Sequence, residues 1–95
     1  MYAVVVEVNA DETRNEVARG YLNQEVAPRV RDHGAKAGYW LASQGGRGIS
    51  VVVFETEDEA QQMATLLQVG QPPQEGAPEG VTVRSVEVRK VLASV

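Results

Sequence analysis

The chain has 95 residues, nine Lys plus Arg against thirteen Asp plus Glu, one histidine, no cysteine and 43% hydrophobic residues. That length supports one domain, 1–95, burying about 64% of its unfolded surface, and the absence of cysteine excludes a disulfide staple and a thiolate metal site. A net charge of −4 argues against broad electrostatic binding to nucleic acid or an anionic membrane, because both require a basic face that displaces counterions.

Residues 2–8, YAVVVEV, form a short β-branched run that suits a strand, and residues 9–11 turn the chain. This opening runs into Glu7 without a basic leader and no later apolar run approaches membrane-spanning length, so the expected location is cytoplasmic. From Asp11 to His33, the positions Val17, Tyr21, Leu22, Val26 and Val30 make the stripe of a long amphipathic helix, capped by Asp11 or Thr13. Pro28 removes an amide hydrogen within that stripe, which predicts a kink or break near residues 23–27, and the helix should stop at Gly34.

Two strands follow, 35–43 with the neighbouring aromatics Tyr39 and Trp40, and 48–55, GISVVVFE, joined by the glycine-rich hairpin Gln44-Gly45-Gly46-Arg47. Thr56-Glu57-Asp58-Glu59 is a capping box, and Ala60, Met63, Ala64 and Leu67 give a second helix reaching about Gln68. Residues 70–80 hold three prolines and three glycines and read as a loop within the domain. The closing run 81–95 alternates as a strand, with a phase change between Val83 and Val86 that predicts a bulge.

The order β-α-β-β-α-β predicts an α+β, ferredoxin-like domain, a four-stranded antiparallel sheet with two helices on one face. Such a sheet would leave its second face wet and alternate in polarity. Here Val4-Val5-Val6, Tyr39-Trp40-Leu41 and Ile49 through Phe54 are apolar or nearly so on both parities. Burying six such side chains is worth about 1.5–3 kcal/mol each, so a second copy of the chain is the expected cover.

These residues resemble a known family. The segment YLNQEVAPRVRDHG at 21–34, AGYWL at 37–41, RGISVVVFETEDEAQQ at 47–62 and VTVRSVEVRKV at 81–91 are similar to the dimeric α+β barrel proteins. Within them the likeness is to the small antibiotic-biosynthesis-monooxygenase-like domains, and most of all to actinobacterial members with no assigned reaction. The resemblance implies a homodimer whose sheets close a barrel, with a pocket between sheet and helices that takes a small apolar or aromatic molecule.

It also implies alternatives. Cofactor-free oxygenases of this group furnish their pocket with Asn, Trp and Tyr and orient a polyketide or quinol-like substrate without metal or flavin. On that resemblance, and on placement, the candidate pocket-lining residues are Asn9, Tyr21, Tyr39, Trp40, Phe54 and His33. Tyr39 and Trp40 lie on opposite faces of their strand, so only one should point to the pocket, and core or interface anchoring is the favoured role for both. The haem-degrading branch has an axial histidine on its second helix, and none stands between Thr56 and Gln68. His33, beside Gly34, reads as a helix C-terminal cap in preference to a catalytic base.

A single histidine without cysteine gives no metal constellation, and no cofactor is expected. Gly45-Gly46-Arg47-Gly48 joins two strands and lacks a Lys-Ser/Thr ending, so it is a hairpin and not a phosphate loop. An RNA-recognition motif shares the element order. Its stacking aromatics would fall on Ile49 and Val51, which removes the platform for bases. A non-catalytic dimerisation or partner-binding module is the remaining alternative.

Overall fold

The computed structural model describes residues 1–74 and 76–95; Glu75, inside the expected 70–80 loop, lies outside the described residues. Strand β1 (Tyr2–Asn9) leads into one long helical rod. The rod has a 3-10 turn (Glu12–Arg14), helix α1 (Asn15–Tyr21), a π-helical turn (Leu22–Val26) and helix α2 (Ala27–Asp32). Strands β2 (Ala37–Trp40) and β3 (Arg47–Phe54), helix α3 (Glu57–Thr65) and strand β4 (Thr82–Lys90) complete the chain. The sheet order is β2-β3-β1-β4 and every neighbouring pair is antiparallel, which is the ferredoxin-like βαββαβ arrangement expected from the sequence. Among the described residues no helix is long and apolar enough to cross a membrane.

Local chemistry sets the boundaries. The Asp11 carboxylate accepts from the Thr13 amide at 2.9 Å and the Thr13 hydroxyl at 2.7 Å, starting the rod. Pro28 has no N–H to give Gln24, and the expected break falls at a π turn in which the Ala27 amide bonds to the Leu22 carbonyl. His33 closes α2 as its C-cap, its amide donating to the Arg29 carbonyl at 3.1 Å. Gly34 follows at φ 101°, where a Cβ would stand 2.5 Å from Oε2 of Glu59. Only glycine lets the rod end this close to the start of α3.

The capping box forms as expected, the Glu59 amide donating to Thr56 Oγ1 and the Thr56 amide to Glu59 Oε1, both at 3.2 Å. Helix α3 stops at Thr65, short of Gln68, because the Leu66 and Leu67 amides tighten onto the carbonyls of Met63 and Ala64 three residues back. Strand β2 is also shorter than expected. Beyond Leu41 the backbone of Ser43 is held by the Asn15 side chain, which takes it out of the ladder. The expected bulge is present: pairing steps from Glu7–Ser85 to Val8–Val83, leaving Arg84 as the extra residue. The step puts Val83, Val86 and Val88 on the same side of the sheet.

That side carries the core. Val4, Val6, Val52, Phe54 and Val83 pack with Ala60, Met63 and Ala64 of α3 and with Leu67 just beyond it. Helix α3 lies directly on β1, β3 and β4, whereas the backbone of the rod makes few close approaches to the sheet. The opposite sheet face presents Ala37, Tyr39, Ile49, Val51, Val53, Ala3 and Val5, edged by Ser85, Glu87 and Arg89 of β4.

Candidate functional site

The gap between rod and sheet is a cavity of about 810 Å³. Its floor is Val4, Val6 and Val52 with Trp40, its roof Tyr21, Val26 and Val30, and Met63 and Leu67 close one side. Small residues make the room. Gly38, Gly48 and Ser50 occupy the helix-facing positions of β2 and β3 where larger side chains would fill the space. The Trp40 ring folds back over Gly38, with Cη2 2.9 Å from where a Cβ would stand, so it lies across the sheet and paves the cavity. This volume falls within the range of about 300–1,000 Å³ typical of small-molecule sites.

Two polar clasps hold the rod at its distance. At one end Nδ2 of Asn15 donates to the Ser43 carbonyl at 3.2 Å, while the Ser43 amide donates to Oδ1 of Asn15 at 3.0 Å. At the other end Nη1 of Arg29 donates to Oε1 of Gln74, tying α2 to the proline-rich loop at the cavity mouth. Spacing by hydrogen bonds in place of side-chain interdigitation leaves the space between rod and sheet unfilled.

The lining holds the neutral polar side chains Asn15, Asn23, Ser43, Ser50 and Gln74 beside basic ones. The Tyr21 hydroxyl is buried with no hydrogen-bond partner among the described residues. Burial pushes its pKa up, Arg29 opposes the shift and Glu25 adds to it, so the phenol stays protonated at neutral pH and is a donor. Arg19, Arg29 and His33 also line the cavity, and no carboxylate does among the described residues. Arg19 pairs with Glu16 at 3.4 Å and Arg29 with Glu25 at 4.0 Å, both exposed pairs of the weakly coupled sort.

Of the residues picked out from the sequence, Tyr21 in the roof and Trp40 in the floor both line the cavity and His33 stands exposed at its rim. Tyr39 borders the cavity at the β2 edge, but its side chain has the parity of the opposite face and is 66% exposed. Phe54, 0% exposed, belongs to the packed core under α3. Asn9 is exposed at the end of β1 on the opposite face, donating to Thr82 Oγ1 at 3.1 Å and accepting from Arg84 at 3.5 Å. Its odd position on β1 turns it from the Val4, Val6 and Val8 side.

Arg29, Gln74 and Asn15 were not singled out from the sequence. The signal for Arg29 lies in Pro28: a π turn inserts one residue, so two turns take about eight residues in place of about seven, which brings Arg29 onto the face of Tyr21. Among the described residues no group of three His, Cys, Asp or Glu side chains is placed to hold a metal ion. Compared with known proteins, the chain matches no family model and no curated sequence.

Proposed function

We propose that this chain is one subunit of a homodimeric α+β barrel of the antibiotic-biosynthesis-monooxygenase-like type, and that its cavity binds a small apolar or aromatic molecule. The observation that carries the ligand reading is the cavity itself, apolar on most walls with polar groups at both ends. A purely structural dimer has no use for such a space and would fill it.

Trp40 is the only tryptophan and lies in the cavity wall, so its fluorescence reports occupancy directly. Titration with 2-methylnaphthalene is expected to saturate at one site per chain, and Ala18→Phe, which fills the cavity from α1, is expected to abolish the response. No saturable change in the wild-type chain, or an undiminished one in Ala18→Phe, overturns the reading.

Cofactor-independent oxygenation is a second reading, favoured by Tyr21 and Trp40 sharing the cavity. It predicts oxygen uptake with a hydroquinone that is lost in Trp40→Phe. Asn9, on the other sheet face, has no part in that version of the site.

A further inference from the structure

We propose that the Ser50 hydroxyl anchors the ligand in the cavity, sharing a hydrogen bond with one uncharged oxygen, a hydroxyl or a carbonyl, on an otherwise apolar ring system. The proposal rests on the ligand-binding reading above and specifies which residue orients and selects the molecule bound.

Ser50 breaks the pattern of its own sheet face. The helix-facing positions around it are Val4, Val6 and Val8 on β1, Gly38 and Trp40 on β2, and Gly48 and Val52 on β3. Valine suits a strand and an apolar floor better than serine does, so the packing of the sheet gives no reason for a hydroxyl at this position. Local rules of this kind are broken where a site requires it.

The neighbours leave the hydroxyl for a ligand. Ser50 stands opposite Val6 on one side and Trp40 on the other, and none of the side chains around it on the face accepts a hydrogen bond, since the indole N–H only donates. Gly48, the next helix-facing residue along β3, has no side chain, and the six-membered ring of Trp40 lies back along β2 over Gly38. Ser50 is accordingly half-buried and lines the cavity, whereas the Tyr21 hydroxyl is sealed from it. Its place between Gly48 and Val52 sets the anchor inside the floor, so that the apolar body of a ligand held there lies among the valines and Trp40. A lone hydroxyl in such a floor offers no counter-charge to an ion, which selects an alcohol, phenol or ketone oxygen.

Binding of 2-naphthol and, separately, of 2-methylnaphthalene to the full chain is measured by isothermal titration calorimetry at neutral pH, the two probes differing in a hydroxyl for a methyl. Ser50→Ala is expected to weaken naphthol about fivefold, the worth of one neutral hydrogen bond, and to leave methylnaphthalene within about twofold of wild type, which shows that the cavity is intact. Ser50→Thr, which keeps the hydroxyl on a residue suited to strands, is expected to retain the wild-type ratio of the two affinities. A Ser50→Ala chain that loses nothing for naphthol, or loses equally for both probes, overturns the role of Ser50 and leaves the cavity reading standing. Methylnaphthalene binding without naphthol binding in the wild-type chain overturns the choice of an oxygen-bearing ligand. Saturation by neither probe overturns the cavity reading itself.

Discussion

Tyr21 holds a buried phenol hydroxyl with nothing among the described residues to accept its proton. Removing a buried, unsatisfied polar group relieves its desolvation penalty, so Tyr21→Phe is expected to stabilise the free chain by about 1 kcal/mol, read as a rise in the thermal midpoint by circular dichroism. A fall would mean that the hydroxyl has a partner in solution. Gly38 shapes the other side of the same cavity. A Cβ there would lie 2.9 Å from the Trp40 ring, so Gly38→Ala is expected to push the indole into the cavity, shift its emission and weaken 2-methylnaphthalene binding. Asp11 gives a pH signature. The Thr13 hydroxyl and amide bonds, with a smaller effect from Arg14, hold its carboxyl below the usual carboxylate range. A depressed carboxylate stabilises the folded state above its unfolded pKa and loses that contribution as pH falls through its folded value. The first turn of the rod is therefore expected to hold at pH 5 and to fray only below about pH 4, as amide exchange at Thr13 would show.

At the scale of elements, what was legible in the sequence is what local chemistry decides. Thr56 to Glu59 announces α3, the Val83-to-Val86 phase change announces the bulge opposite Glu7 and Val8, and Pro28 announces a disturbed helix. That the break takes the form of a π turn was not legible, because more than one local geometry accommodates the missing amide. Packing, which a single sequence does not display, chooses between them. The early end of β2 was hidden for a different reason: Asn15 and Ser43 are far apart in the chain, and their bond is tertiary. So were the cavity and its two clasps. Opposite parity separates Tyr39 from Trp40 at the sequence level, but pairing of Trp40 with Ser50 is what assigns Trp40 to the cavity side. The Asn15 clasp is testable on its own. Asn15→Ala removes both hydrogen bonds to a half-buried backbone and is expected to cost about 1–3 kcal/mol in chemical denaturation. It should also loosen the rod, so that probe affinity falls together with stability. Unchanged stability would show that the rod is held elsewhere.

The whole molecule has more surface than its mass warrants. It exposes 6308 Å², whereas the area scaling for a folded monomer of 10.3 kDa gives about 5,400 Å². Part of the excess of about 900 Å² belongs to the tail after β4, where Leu92 and Val95 are exposed, and part to the open cavity between rod and sheet. The sheet face turned from the helices carries Tyr39, 66% exposed, and is the surface a second copy would cover. The distribution of residues on that face supports a second copy as the occupant. Val5, Ile49, Val51, Val53 and the exposed Tyr39 form an apolar centre, while Glu87 and Arg89 of β4 form a charged rim. Glu7 and Arg47 are already paired with each other on the face, so they enter a dimer without an unpartnered charge. Val51 stands at the middle, flanked by Val5 on one side and Tyr39 on the other. In a two-fold interface Val51→Asp introduces its carboxylate twice, in desolvated surroundings and close to its own copy. The wild-type chain is expected to sediment at micromolar concentration with about twice the 10.3 kDa chain mass, and Val51→Asp as a folded monomer with a lower thermal midpoint. Arg89→Ala, at the rim, should leave the dimer in place. Wild-type sedimentation as a monomer would overturn the dimer, and a Val51→Asp dimer as tight as wild type would move its interface off this face.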